Sequence, residues 1–248
     1  EAPEGSVVIF SAHGVAKSVW EEAQSRRLHV IDATCPLVIK VHNEVNRDYT
    51  QGYELILIGH AGHPEVIGTL GQIPDKFHLV SSVKDVESLH VEKTQNLSYV
   101  TQTTLSVDEC RDIVEALHRR FPNIKGPHQE DICYATQNRQ NAVKSLSKLV
   151  DVILVIGSPN SSNSNRLREL GEHCGIPSYL IDAASDINPD WLKDAKSVGL
   201  SAGASAPEVL VTEVVAYLKR LGSSEEVEEL TVIEEDVTQQ NGSLKAVT

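Results

Sequence analysis

Methionine is missing from all 248 residues, position 1 included, so the printed chain is expected to be a processed form or an N-terminally truncated piece of a longer translation product. No apolar run approaches the roughly 18–20 residues that span a bilayer. The opening EAPEGSVVIF also lacks the charged-then-apolar layout of a signal peptide, so membrane and export roles are not expected. Basic residues are few: 22 Lys+Arg against 35 Asp+Glu leave a net charge of −13, and such a surface repels nucleic acid and anionic membranes. No nucleic-acid partner is expected. Cysteine is scarce too, and none of Cys35, Cys110, Cys133 and Cys174 forms a CxxC pair. That excludes a disulfide-stapled secreted scaffold and local zinc-ribbon or ferredoxin-type motifs, so any metal site has to be assembled from separate loops. There is no G-x-x-x-x-G-K-[ST], and Gly59-His60-Ala61-Gly62 is no dinucleotide fingerprint, which leaves nucleoside triphosphate and NAD sites without support.

What is present is a globular composition, 40% apolar over a length that suits two or so compact units. Short β-branched runs recur, each ending in small and polar residues before a helical pattern. They are Val7–Phe10, Leu55–Ile58, Val152–Ile156 and Val198–Leu200, with further strands expected at His29–Ile31, Phe77–Val80, Leu97–Val100 and Ser178–Ile181. This alternation predicts an α/β fold of pseudo-repeated parallel-sheet units. The strand count divides the chain into a remnant first unit (1–34), a second unit (35–132), a third (133–216) and an acidic, mobile tail (217–248) carrying seven acids and no base between Glu225 and Asp236.

Open parallel sheets bind ligands at the C-terminal ends of their strands, and here those ends carry His, Ser, Asn, Thr and Gly. Small residues let backbone approach a ligand, and hydroxyls, amides, imidazoles and helix N-terminal N–H groups suit phosphate oxygens; the same clusters also serve as plain turn chemistry. Gly59-His60-Ala61-Gly62-His63-Pro64-Glu65 sets two imidazoles and a carboxylate within seven residues, a proton-exchanging combination, although Glu65 also reads as a first-turn helix carboxylate and His60 as a hydrogen-bonded core residue. Thr101-Gln102-Thr103-Thr104-Leu105-Ser106 can contact substrate or cap the next helix through Thr104 or Ser106. Cys110, in a helical pattern, and Cys174, at a helix end closed by Gly175, read as small buried hydrophobes. Cys35 and Cys133 each follow an Asp-containing stretch and open an amphipathic helix, where metal ligation or nucleophilic chemistry is open to them.

Seven motifs in order then resemble one family. They are Ser11-Ala12-His13-Gly14-Val15, Asp32-Ala33-Thr34-Cys35-Pro36-Leu37, the GHAGHPEVIG run from Gly59, Thr101-Gln102-Thr103-Thr104, Asp131-Ile132-Cys133-Tyr134-Ala135-Thr136-Gln137-Asn138-Arg139-Gln140, Ser158-Pro159-Asn160-Ser161-Ser162-Asn163-Ser164 and Ala202-Gly203-Ala204-Ser205-Ala206-Pro207-Glu208. Together they resemble the 4-hydroxy-3-methylbut-2-enyl diphosphate reductases, the IspH/LytB family, over about residues 7–216. The resemblance implies units arranged around a central cluster and substrate site, the first unit incomplete. It implies a [4Fe–4S] enzyme that ends the methylerythritol phosphate route to isoprenoids, removing an allylic hydroxyl with two electrons and two protons to give isopentenyl and dimethylallyl diphosphate. In that family three cysteines hold the cluster, and Cys35 and Cys133 match two of them. His13, His63, Ser161, Ser162, Asn163 and Ser205 would bind the diphosphate, with imidazolium adding charge-assisted hydrogen bonds. Glu65 would be the proton source, working with Thr103 and His63, and Gln102 and Thr104 would line the pocket.

A flavodoxin or ferredoxin would donate electrons, in the cytoplasm or, for a plant or alga, the plastid stroma. The family's first cluster cysteine, in a Cys-Gly-Val segment, has no counterpart in these 248 residues, and Thr238 onward departs from the family's terminal run. The chain alone is therefore expected to assemble a cluster poorly and to expose apolar strand surface. An inactive diphosphate-binding fragment and a zinc site built from Cys35, Cys133 and a histidine are the competing expectations.

Overall fold

The computed structural model describes residues 2–74, 77–127 and 131–221, and the chain divides into two compact units, Glu1–Gln137 and Asn138–Thr248. The first contains β1 (Val7–Phe10), α1 (Lys17–Ser25), β2 (His29–Asp32), α2 (Pro36–Thr50), β3 (Glu54–Ile58), α3 (Pro64–Leu70), β4 (Phe77–Val80), α4 (Val83–Ser88), β5 (Leu97–Thr101) and α5 (Val107–Arg120). After α6 (Tyr134–Leu146) come β6 (Val152–Ile156), α7 (Ser162–His173), β7 (Ser178–Ile181), β8 (Val198–Ala202) and α8 (Glu208–Leu221). Every strand expected from the sequence is present and every pairing is parallel: β1 with β2, β4 and β5 on either side of β3, and β7 and β8 on either side of β6. The fold is α/β with three small parallel sheets. Among the described residues no helix is long and apolar enough to cross a membrane.

The central strands dictate this arrangement. Leu55–Ile58 and Val152–Ile156 are apolar at consecutive positions and buried at all of them, so both faces of β3 and β6 need a cover of helices. Ile56 and Ile58 pack with Ile113 and Leu117, while Leu55 and Leu57, pointing the other way, pack with Val41, Val45 and Val66. In the second unit Leu154 and Ile156 meet Ile181 and Val214, and Ile153 and Val155 meet Val143 and Leu167. The β1–β2 sheet differs, since Val7, Ile9 and Ile31 are 65%, 68% and 54% exposed. Each unit holds one tryptophan: Trp20 meets Phe10 edge-on at 4.8 Å between ring centroids, and Trp191 stacks on Tyr179 at 4.0 Å.

Helix starts follow local chemistry. Cys35 and His63 stand at the N-caps of α2 and α3 with Pro36 and Pro64 as the first helical residues. Ser82, Ser106 and Ser161 cap α4, α5 and α7 with their hydroxyls, so of the two residues considered for capping α5 it is Ser106 that does so. Cys110 is buried as expected, whereas the expectation of burial fails for Cys174. It is the C-cap of α7, followed by Gly175 at φ +84°, and its side chain is exposed where the chain leaves the helix. Helix α8 runs to Leu221; the rest of the expected acidic tail, residues 222–248, lies outside the described residues.

Close backbone approach seats the segment after β1 on α3. A Cβ added to Gly68 would lie 2.9 Å from the Gly14 carbonyl oxygen, and one added to Gly71 would lie 2.2 Å from Ala16 Cβ. Gln72 Nε2 donates to the carbonyls of Val15 and Gly68, both at 2.9 Å, and Lys17 N–H donates to Gly71 O at 3.1 Å. Gly14 has φ +71°, and its Cβ would meet His42 Cε1 at 2.8 Å. Because the neighbour of Gly68 is backbone, Gly68→Ala is expected to lose about 1–3 kcal/mol of stability in urea unfolding. Ile67→Ala, on the exposed side of the same helix, is expected to stay within about 0.5 kcal/mol.

Candidate active site

Strands β3 and β5 are neighbours, so the segments leaving their C-terminal ends meet. Gln102, fully buried, ties them: its N–H donates to Ile58 O at 2.8 Å, its Oε1 accepts His60 N–H at 3.1 Å and its Nε2 donates to Thr104 Oγ1 at 3.0 Å. The absence of a side chain at Gly59 lets Gln102 and Val66 close in, since a Cβ there would lie 2.7 Å from Val66 Cγ2.

Glu65 occupies the first turn of α3, which accounts for its local fit, yet it is only 3% exposed. Its Oε1 accepts Thr103 N–H at 2.6 Å and its Oε2 lies 3.0 Å from Thr103 Oγ1. Burial pushes the carboxyl up from its ordinary value; the two Thr103 contacts pull it down, and the charge of Asp131 adds to the rise. Thr103 also accepts Cys133 N–H through its carbonyl at 2.9 Å. One residue thus connects the carboxyl to a cysteine 30 positions further along the chain.

His63 caps α3 by accepting Glu65 N–H on Nδ1 at 3.2 Å, which puts the ring proton on Nε2. Burial, together with the neighbouring His13 and His60, lowers its pKa to about 4. With that pKa the ring by itself is a neutral Nε2–H donor at neutral pH. His13 stands edge-on to it, ring centroids 5.4 Å apart, and its Nδ1 lies 3.2 Å from Ser11 Oγ. The docking of segment 11–16 on α3 is what brings these two imidazoles together.

Cys35 and Cys133 are free, partly buried thiols at the starts of α2 and α6. Cys35 N–H donates to Ala12 O at 3.0 Å, which links that helix start to the His13 segment. As donors the two thiols fit a thiolate-held iron–sulfur group in kind. Among the described residues no group of three or more His, Cys, Asp or Glu side chains is placed to hold a metal ion. Cys110 belongs to the apolar cluster around Leu117.

Two residues to which sequence reasoning gave no role stand beside these thiols. Asp131, 2% exposed, accepts Thr101 N–H on Oδ2 at 2.8 Å and Lys40 Nζ on Oδ1 at 2.6 Å. Burial pushes its carboxyl up, opposed by these same two donors. The signal for Asp131 was its place in the Asp131-Ile132-Cys133 motif; Lys40 had none, being a lysine on an amphipathic helix.

In the second unit the remaining candidates lie at the ends of β6 and β8, which are adjacent strands. Ser161 Oγ accepts both Ser164 N–H at 3.2 Å and Ser164 Oγ–H at 3.0 Å, so its own O–H is left as a donor. Asn163 is 7% exposed with neither Nδ2 nor Oδ1 hydrogen-bonded, an arrangement that in a native site calls for a ligand or water. Ser162 opens α7, and Ser205 is exposed in the turn after β8. Gly157 and Gly203 flank Ser164, whose Oγ would lie 2.2 and 2.1 Å from their added Cβ atoms.

The family model described as LytB protein matches residues 1–219. A 4-hydroxy-3-methylbut-2-enyl diphosphate reductase 2 of Bradyrhizobium diazoefficiens is 61% identical over 222 residues, covering 90% of this chain and 72% of the relative. A 4-hydroxy-3-methylbut-2-enyl diphosphate reductase of Aromatoleum aromaticum is 60% identical over 224 residues, with the same two coverages. Among solved structures, the E-1-hydroxy-2-methyl-but-2-enyl-4-diphosphate reductase of Plasmodium falciparum is similar at a TM-score of 0.85 and 37% identity, covering 93% of this chain and 76% of that one. A second, described as (E)-4-hydroxy-3-methyl-but-2-enyl diphosphate reductase, the terminal enzyme of the non-mevalonate pathway, matches at a TM-score of 0.58 and 34% identity, covering 89% and 78%.

The buried imidazoles make stability pH-dependent. His63 and His42, the latter lowered by burial against the opposing charge of Asp32, take up a proton near 6.5 when unfolded but near 4 when folded. Between those values the unfolded chain binds more protons, so stability is expected to fall as pH drops from about 6.5 to about 4. The urea midpoint followed against pH checks this, and His42→Gln is expected to flatten the fall; the parental slope in that variant would reject the imidazole as its source.

Proposed function

Because the chain belongs to the LytB family, we propose that Glu65 and Thr103 deliver protons, and that Cys35 and Cys133 bind a cluster, in the reaction of that family. The activity is that of a 4-hydroxy-3-methylbut-2-enyl diphosphate reductase, the terminal enzyme of the non-mevalonate pathway. Its family uses an iron–sulfur cluster, which when bound supplies the electrons and a Lewis-acidic iron. Two electrons and two protons break the allylic C–O bond: one proton leaves with the oxygen as water and the other enters the carbon skeleton, yielding isopentenyl or dimethylallyl diphosphate.

The observation that carries the residue assignment is Thr103, held at its N–H and near its hydroxyl by Glu65 and joined through its carbonyl to Cys133. A buried carboxyl whose pKa is raised holds its proton to a higher pH than an exposed one and can then release it. Oε1 accepts the Thr103 N–H and Oε2 accepts the Thr103 hydroxyl; when Oε2 takes up a proton that hydrogen bond reverses, so that Thr103 Oγ accepts from the carboxyl and hands on its own proton. For the diphosphate the proposed donors are His13 and His63, the second as a neutral Nε2–H, with Ser161, Ser162, Asn163 and Ser205. The spare O–H of Ser161 and the unpaired amide of Asn163 support the last group. Gln102 and Thr104 shape the pocket, with Gln102 holding the β3 and β5 segments together. Cys35 and Cys133 are proposed as two of three cluster ligands, since no third cysteine of this sequence carries a matching motif, and a flavodoxin or ferredoxin as the electron donor.

Replacing Glu65 by Gln is expected to lower anaerobic turnover about 10²–10⁴-fold while leaving iron content unchanged; full activity would reject Glu65 as the donor. Cys35→Ser and Cys133→Ser are expected to lose iron instead. A second reading, a diphosphate-binding chain without a complete cluster, rests on the count of two motif-matching cysteines. Iron per chain after anaerobic reconstitution with iron and sulfide decides between the two, because a binding module needs none.

A further inference from the structure

Cys133 is held at two points against one strand end. Two residues before it, the Asp131 carboxylate accepts Thr101 N–H at 2.8 Å, and at Cys133 itself the backbone N–H donates to Thr103 O at 2.9 Å. The segment leading to the thiol is thus clipped across Thr101-Gln102-Thr103. A third contact ties the clip to the helix begun by the other thiol. Lys40, in the second turn of α2, reaches Asp131 Oδ1 at 2.6 Å and, one turn along its own helix, Glu44 Oε2 at 3.0 Å. The Asp131 side chain is wholly buried, and those of Glu44 and Lys40 are 6% and 23% exposed.

Burying two carboxylates and an ammonium is an inefficient way to pack a helix against a loop, since apolar side chains of similar volume do so at least as stably. What the ions add is direction: a carboxylate with its two oxygens committed to two fixed donors has one orientation. Resting on the reading of Cys35 and Cys133 as cluster ligands, we propose that Lys40 and Asp131 are positioning residues that set the placement of the Cys133 thiol relative to the helix that Cys35 begins. They act through hydrogen bonds, touching neither substrate nor cluster, in the way that outer-shell partners orient metal ligands.

The test uses the full chain without metal and then with iron and sulfide. In the metal-free chain, Asp131→Ala and Lys40→Met are expected to speed amide hydrogen exchange at Thr101 and Cys133 about tenfold or more, while the buried β3 amides of Ile56 and Leu57 keep their parental rates and Lys40→Arg restores protection. After reconstitution the same two variants are expected to release iron to a chelator about 10–100-fold faster and to show an altered electron paramagnetic resonance signal. Should either single variant fail to fold, Lys40→Met combined with Asp131→Leu replaces the pair by apolar groups and is expected to fold with the same local loss of protection. Unchanged exchange at Cys133 in these folded variants, or acceleration equally large in β3, would overturn the proposal. Iron retained by Cys133→Ser would instead overturn the ligand reading, and the exchange result would still report on the clip.

Discussion

Burial of Leu55–Ile58 in β3 and of the whole of β6 is the constraint from which the rest of the molecule follows. A run that is apolar at consecutive positions has no face to offer water, so helices must cover both sides and only the strand ends stay open. Parallel pairing then sends the segments after β3 and β5 out at one edge, and those after β6 and β8 out at one edge of their own sheet. The candidate site residues gather at those edges, whereas polar side chains within the strands, such as His78 against Glu54, are paired in place. The same burial is why Gln102 uses its whole amide to join two loops in place of reaching solvent.

Glu65 shows how the scaffold turns a packing problem into reactivity. A carboxyl at the start of a helix is ordinarily a stabilising surface charge. Here it points inward, and its contacts to Thr103 are enough to keep it in place without cancelling the desolvation that favours its protonated form. The neighbouring imidazole is pushed the opposite way by the same physics. Burial favours the neutral state of both groups, raising the proton affinity of the carboxyl, as the proposed proton donor requires, and leaving His63 a hydrogen-bond donor without charge.

Strands were fully legible in the sequence, because buried parallel strands announce themselves as contiguous β-branched runs such as Val152–Ile156. The candidate residues were legible as loop motifs, and the comparisons establish the family those motifs resembled. Their mutual contacts were not legible. Glu65 and Thr103 are 38 residues apart and Lys40 and Asp131 are 91 apart, and nothing local in either partner marks the other. The lowered pKa of His63 was not legible either: it comes first from burial and then from His13 and His60, and His13 is far away in sequence, brought near where segment 11–16 packs on α3. Cys174 was misread because cysteine in general is buried, whereas a C-cap before a left-handed glycine turns its side chain outward.

The placement of the two tryptophans has a practical corollary. Trp20 sits against Phe10 in the first unit and Trp191 lies flat on Tyr179 in the second. Intrinsic fluorescence from single-tryptophan chains, with Phe substituted for one indole at a time, therefore reports on each unit separately. Superimposable transitions would identify a single cooperative melting event, whereas displaced ones would give each unit its own folding free energy.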